Sequence, residues 1–307
     1  MFQALIKRSL RLSLRYGVKP VLKAGIPIPI QRQWVEFISS FGPVASDVKV
    51  STLDLSGISV DVLVPASCGP SVVLYFHGGA FCIGSPRTHR SLTSHLARYA
   101  QAAVWVADYS RSPEAPFPVA LNEAQRLYET VLSRGFEPAN IVIAGDSAGG
   151  GLALALAVKL RDEGRALPAG LVLLSPFLDL WRREKASYPE KKDPILSRRW
   201  LNQCARYYLS GEVNHPEYAS PLMADMRGLP PVLIQVSSDE ILLEDSRELV
   251  EKLRSVDGKV SYQEFQNLWH VFQLHAGWLA AADEALQGVA GFMRRNALLK
   301  KAAIVTA

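Results

Sequence analysis

Residues 141–151 read IVIAGDSAGGG, and the run that follows, 152–160, reads LALALAVKL. A β-branched apolar run that breaks at Gly145-Asp146-Ser147-Ala148-Gly149 and resumes in helix formers predicts a strand, a sharp turn and a helix. Glycine and serine both weaken a helix start, so the turn itself must require them. In this setting G-x-S-x-G places a serine on a strained bend with Oγ exposed. The glycines flank it because a Cβ there would strike a neighbouring strand or helix. The helix behind the bend aims its free amides and positive dipole end at Ser147, which favours a developing negative charge.

Outward from this junction the chain keeps one rhythm. Strand-like segments lie at 48–55, 58–65, 71–76, 102–108, 140–145, 170–176, 231–237 and 259–266, with helix-like segments at 88–100, 119–134, 149–163, 243–255 and 277–296. The first two strands alternate apolar and polar residues around Ser56-Gly57, as in a hairpin with one wet face. The next five are nearly continuous apolar runs, the pattern of strands buried on both faces of a parallel sheet. The alternation predicts an α/β, doubly wound, mostly parallel eight-stranded sheet with helices on both faces and right-handed crossovers.

Two segments break the rhythm, 1–45 and 177–228. The second is longer than a crossover needs and carries a helix-like stretch at 197–209. We read both as parts of one helical cap over the C-terminal edge of the sheet, where open α/β sheets bind ligands. The core is then 46–176 and 229–307. Cap aromatics such as Trp34, Phe37, Phe41, Trp181, Tyr207 and Tyr208 predict an apolar substrate pocket.

The formal charge is +5, yet residues 1–35 hold seven Lys or Arg and no Asp or Glu, so the remainder stands at −2. Nothing in this distribution points to nucleic acid. Lys7, Arg8 and Arg11 interrupt the apolar run of the N-terminus, which disfavours a secretory signal. Wound as a helix, its basic side is Lys7, Arg8, Arg11 and Arg15. Its apolar side is Phe2, Leu5, Ile6, Leu10 and Leu12, expected to dock on the body of the protein. No apolar run approaches the ~18 residues of a membrane span, so stable membrane insertion is not expected. Cys68, Cys82 and Cys204 are odd in number and form no CxxC pair; reduced thiols and a cytoplasmic location are the expectation, with no metal and no cofactor.

A serine nucleophile needs a base, an orienting acid and an oxyanion site, in the chain order Ser, Asp or Glu, His. Three histidines follow Ser147: His215, His270 and His275. His215 stands beside Pro216 in the insertion and reads as a surface residue. His270 follows the last strand directly, at the catalytic edge of the sheet, and is the expected base. The segment SSDEILLEDS offers Asp239, Glu240, Glu244 and Asp245. Asp239 comes first after its strand and is the expected acid, with Glu240 its nearest rival. The oxyanion donors are expected from the amide of Ala148 and from Gly78 and Gly79 in HGGAF (77–81), whose bare backbone lets two N–H groups approach one oxygen. His77 would buttress that loop.

Taken together, HGGAF and GDSAGG, with DYSRSPEAPFPVAL at 108–121, SSDEILLEDS and WHVF, resemble the hormone-sensitive-lipase, or GDXG lipolytic, family of bacterial α/β-hydrolase esterases. The resemblance runs from about residue 45 to 296. It implies an α/β-hydrolase fold and a serine carboxylesterase that cleaves short- to medium-chain carboxylic esters through an acyl-enzyme on Ser147. It implies a small-molecule ester as partner and leaves room for a homodimer. Alternatives on the same triad are a lactone hydrolase, amidase or thioesterase; a non-catalytic small-molecule receptor is more remote. Two departures stand out. Ala80 replaces the third glycine of the family's usual HGGG, and Arg111 is displaced from its usual place before Pro113-Glu114. A cap this short predicts modest acyl chains and water-soluble esters.

Overall fold

The computed structural model describes residues 2–181, 190–211 and 213–297. Among them runs one eight-stranded sheet of order β1-β2-β4-β3-β5-β6-β7-β8. The strands are β1 (Val48–Leu55), β2 (Ile58–Pro65), β3 (Val72–Phe76), β4 (Ala103–Ala107), β5 (Ile141–Asp146), β6 (Gly170–Leu174), β7 (Val232–Ser237) and β8 (Val260–Phe265). β1 and β2 form an antiparallel hairpin and β2 meets β4 antiparallel. The remaining pairs are parallel. The hairpin turns at Ser56 (φ +57°) and Gly57 (φ +79°), the left-handed pair that matches strand twist. β1, at the edge, is exposed along most of its length, whereas β3, β5, β6 and β7 are buried throughout.

The helices are α1 (Phe2–Ser13), α2 (Ile28–Ser39), α3 (Arg90–Ala100), α4 (Val119–Ser133), α5 (Ala148–Asp162), α6 (Arg198–Tyr208), α7 (Pro216–Ala219), α8 (Leu243–Arg254) and α9 (Ala280–Asn296). α5 is apolar nearly all round and buried from Ala148 to Val158, the helix of a core covered on every side. α3 packs with α9, and α4 with α5, against the sheet. α9 begins three residues later than its periodicity predicts, because Gly277 (φ +83°) turns the chain and donates its N–H to Asp283 Oδ1.

The parallel register aligns the strand ends that matter. Phe76 lies opposite Gly145, and Asp146 opposite Leu174. The loops after β3, β5, β6, β7 and β8 therefore leave the sheet side by side, carrying His77, Ser147, Ser175, Glu240 and His270.

The N-terminal helix sits differently from its expected apolar side. Leu10, Arg11 and, in the π-helical turn Leu14–Val18 that follows, Leu14 face the body, while Phe2, Leu5 and Leu12 are exposed. A guanidinium with fixed carbonyl and carboxylate partners competes successfully for the inner face, as Arg11 does below. Part of the 177–228 segment, 182–189 and 212, falls outside the described residues.

Candidate active site

Ser147 occupies φ +50°, ψ −120°, a backbone conformation that L-residues adopt only under constraint. The surrounding bonds hold it there. Its N–H donates to Leu174 O at 2.9 Å, and its carbonyl accepts from Gly151 N at 3.1 Å and Phe177 N at 2.8 Å. A Cβ on Gly149 would overlap the carbonyl of Phe76, and one on Gly145 the carbonyl of Gly149. The glycines are thus required by backbone packed on backbone.

His270 is buried, and its Nδ1 lies 3.1 Å from Glu240 Oε1. The second oxygen of Glu240 accepts from Ser175 Oγ at 2.7 Å and Ser237 N at 2.9 Å, and Ser175 Oγ accepts from Val271 N at 3.3 Å. Acid, neighbouring strand and histidine loop are stitched into one unit. The expectation for Asp239 is corrected here: its carboxylate turns away and pairs with Arg11 Nη2 at 2.8 Å. Two consecutive residues of a turn leave it in different directions, and the apolar run Ile241-Leu242-Leu243 draws Glu240, not Asp239, into the core. That run was the sequence signal for a buried carboxylate.

Burial pulls the His270 pKa down. The hydrogen bond and charge of Glu240, with the charges of Asp193 and Asp146, outweigh it and hold the pKa above the ordinary value. Asp193, from the cap segment, is itself buried and accepts from the amides of Ile195, Leu196 and Ile241, so it fixes the residue next to Glu240. Ser147 Oγ makes no hydrogen bond to the imidazole, but the two residues line the same cavity. Such contacts often close only when substrate is bound. His275 also lines the cavity; burial drops its pKa to about 4 against the hydrogen bond of Phe272 O. His215 is exposed beside Glu217, as expected.

The oxyanion loop requires a second correction. Gly78 lines the cavity, but its N–H is taken by Asp146 Oδ1 at 3.0 Å. Gly79 (φ +122°) and Ala80 (φ +52°) follow, both line the cavity, and neither amide meets a protein acceptor among the described residues. The N–H of Ala148, at the start of α5, likewise meets no protein acceptor among the described residues. An alanine in the left-handed region costs about 1–2 kcal/mol, which the loop absorbs at Ala80.

The side chain of Asp146, in the middle of the GDSAG motif, organises this loop. It takes Tyr75 OH at 2.8 Å, Gly78 N, and His89 Nε2 at 3.2 Å. The other His89 nitrogen faces Thr88 Oγ1 and Ser85 O, so the ring meets acceptors on both sides. Burial lowers the His89 pKa, but Asp146 overrides it and raises it; burial correspondingly raises Asp146, and His89 and Tyr75 bring it below the ordinary value. His77 stacks on Tyr109 at 4.3 Å, with Nδ1 2.8 Å from Gly78 O, and burial holds it neutral with a pKa of about 3. Sequence reasoning placed His77 behind the loop but did not see His89, which carries no motif of its own.

Ser147, His270, Gly79 and Ala80 open into a cavity of about 360 Å3. Residues of the 1–45 and 177–228 segments line it as well, among them Leu10, Leu14, Trp34, Ile195, Leu196 and Trp200. Of the predicted aromatics only Trp34 is among the lining residues. Phe37 and Trp181 are exposed, Tyr207 accepts a hydrogen bond from Gln203, and Tyr208 stacks on Phe81 at 3.8 Å. The apolar lining combines leucine, isoleucine and valine side chains with Trp34, Trp200 and Trp278. Arg32 ties α2 to the loops after β3 and β4: it reaches Cys82 O and Ser112 O and pairs with both oxygens of Glu114. That pairing is the structural role of Glu114, while Arg111 bonds to Gly84 O and Asp108.

Residues 73–274 match the α/β hydrolase fold family. An esterase of Acinetobacter venetianus is 34% identical over 287 residues, covering 90% of this chain and 95% of that protein. An acetyl-hydrolase of Streptomyces hygroscopicus is 40% identical over 233 residues, 75% and 77% of the two chains. Among solved structures, an esterase from the bacterial hormone-sensitive lipase family superposes with a TM-score of 0.88 at 31% identity, covering 95% of this chain and 98% of that one.

Proposed function

Because the chain belongs to the hormone-sensitive-lipase family of bacterial α/β-hydrolase esterases and is a serine carboxylesterase, we propose that Ser147, His270 and Glu240 form its triad and that the reaction passes through an acyl-enzyme. Ser147 Oγ attacks the ester carbonyl while His270 takes its proton; Glu240 holds the ring tautomer and stabilises the imidazolium. The tetrahedral oxyanion collects the amides of Gly79, Ala80 and Ala148, each donor worth about 10²–10³ in rate. His270 then protonates the departing alcohol and activates the water that frees the acid. The observation that carries this reading is the opening of Ser147, His270, Gly79 and Ala80 into one cavity, with Glu240 on the far nitrogen of the ring.

The substrate is a short- to medium-chain ester. A cavity of about 360 Å3 sits at the small end of ligand pockets, and its apolar wall suits an acyl chain. Residues 1–45 and 177–228 act as the cap. The free thiols of Cys68, Cys82 and Cys204 favour a reducing, cytoplasmic location.

The test is p-nitrophenyl butyrate hydrolysis by Ser147→Ala beside the unaltered enzyme. Turnover should fall at least about 10³-fold with an unchanged melting profile. Rapid quenching of the unaltered enzyme should leave a butyryl group on the Ser147 peptide. Undiminished turnover in the variant would refute the assignment.

A further inference from the structure

We infer that the outer face of α1 and α2 is a docking surface for a bilayer carrying anionic headgroups. α1 exposes Phe2 (72% accessible), Leu5, Leu12 and, one turn on, Tyr16 (72%). Their spacing of three, seven and four residues sets them on one stripe of the helix. α2 continues the surface. Ile30, Trp34 and Phe37 are exposed at the same kind of spacing, and Phe41 follows at 63%. The two stripes meet where Trp34 Nε1 donates to Gly17 O at 2.9 Å, and the rings of Trp34, Phe37 and Phe41 form a chain with centroids 5.9 and 5.2 Å apart. Exposed apolar surface gathered this way marks an interaction site.

Charge selects the occupant. Arg8, Arg15 and Lys23 are exposed beside the stripe and pair with no carboxylate among the described residues, and residues 1–35 contain no Asp or Glu. A second copy laid on this face would set these cations against their counterparts, and the one carboxylate of α1 and α2, Glu36, is taken by Ser85 and Arg87. A layer of anionic headgroups over an apolar interior satisfies both parts of the face at once, as for helices that lie in a membrane interface. The place of the face adds a consequence. Trp34 and Trp278 are partly exposed and also line the catalytic cavity, and Gln3 of α1 bonds to Trp278 O. The docked molecule would turn the cavity mouth toward the lipid. Docking is superficial and differs from insertion: no described helix is long and apolar enough to cross a membrane.

The test uses the full chain with vesicles of phosphatidylcholine alone or mixed with phosphatidylglycerol, read by co-sedimentation. Binding should be at least about tenfold tighter to the anionic vesicles and should weaken with salt. Arg8→Glu with Arg15→Glu should lower it at least about twentyfold, each surface cation being worth about fivefold. Leu5→Ser with Leu12→Ser should lower it as well. Both double variants should hydrolyse soluble p-nitrophenyl butyrate at the unaltered rate, which shows them folded. Equal binding to the two vesicle types would overturn the proposal, as would indifference to charge reversal. A dimer in sedimentation that Leu5→Ser with Leu12→Ser dissolves would assign the face to a second copy and overturn it too. Vesicle binding is read without turnover, so failure of the hydrolytic reading would leave these outcomes unchanged.

Discussion

The carboxylate of Asp239 lies 2.8 Å from the guanidinium of Arg11, 228 residues earlier in the chain. Arg11 also reaches Lys192 O at 2.8 Å and Asn267 O at 3.5 Å. One side chain from the cap thereby joins the acid loop, the cap segment and the histidine loop. Asp239 pairs with Arg11 of α1, and its neighbour Glu240 bonds the imidazole of His270.

The two carboxylates should separate cleanly by mutation. Glu240→Gln should lower kcat by about 10²–10⁴, since the amide no longer enforces the productive tautomer. Asp239→Asn should keep kcat within about threefold and instead cost about 1 kcal/mol of stability, discounted because Arg11 is partly solvated. Steady-state kinetics with thermal melts of both variants checks this, and equal kinetic damage would contradict the division of roles.

The pH profile follows from the environment of His270. The ring must be neutral to accept the Ser147 proton, and its pKa is raised above 6.5 by Glu240, Asp193 and Asp146 despite burial. The acid limb of kcat/KM should therefore have its midpoint above pH 6.5. Linkage runs the opposite way for stability. A raised pKa contributes stability that is fully present below 6.5 and is lost as pH rises through the folded-state value. Glu240→Gln should move the kinetic limb to lower pH. A limb at or below 6.5 in the unaltered enzyme would count against the assignment.

Three histidines line the cavity; the ring of His89 is engaged at both nitrogens by Asp146, Thr88 and Ser85, and of the other two only His270 has a carboxylate partner among the described residues. His270→Ala should cost about 10³-fold or more in kcat. His275, neutral with a pKa of about 4 and its ring bonded among the described residues only to Phe272 O, should tolerate replacement by Gln with a loss below about tenfold. The opposite ranking would transfer the role to His275.

Asp146 should matter through the amides it positions. Asp146→Asn keeps the shape but weakens its hold on Gly78 N and His89. A small displacement of Gly79 and Ala80 should then lower kcat by about 10- to 100-fold with little change in KM. A pure KM effect would show that the loop binds substrate without serving the oxyanion.

On the proposed reading, the wall to which Leu196 contributes limits acyl length. Leu196 is buried against the cavity, and Leu196→Ala should raise the rate on p-nitrophenyl hexanoate relative to butyrate by about tenfold, the scale of one methylene's worth of pocket. An unaltered ratio would place the acyl chain elsewhere.

The sequence was most informative where chemistry and local geometry coincide. A turn tight enough to present Ser147 to the cavity needs bare backbone on both sides, so Gly145 and Gly149 announce it. The apolar runs fix β3, β5, β6 and β7, because strands buried on both faces admit little else. His270 could be found by position, since loops after parallel strands share one edge.

Other features were decided only in three dimensions. Asp239 and Glu240 are chemically alike and adjacent; Arg11 and His270, both distant in the chain, determine which serves the site. Gly78 and Ala80 flank Gly79 symmetrically in sequence, but the buried carboxylate of Asp146 captures one amide and leaves the other for the cavity. Spacing along a chain fixes where a residue stands, whereas the direction of its side chain or amide depends on whichever partner folding brings within hydrogen-bond reach.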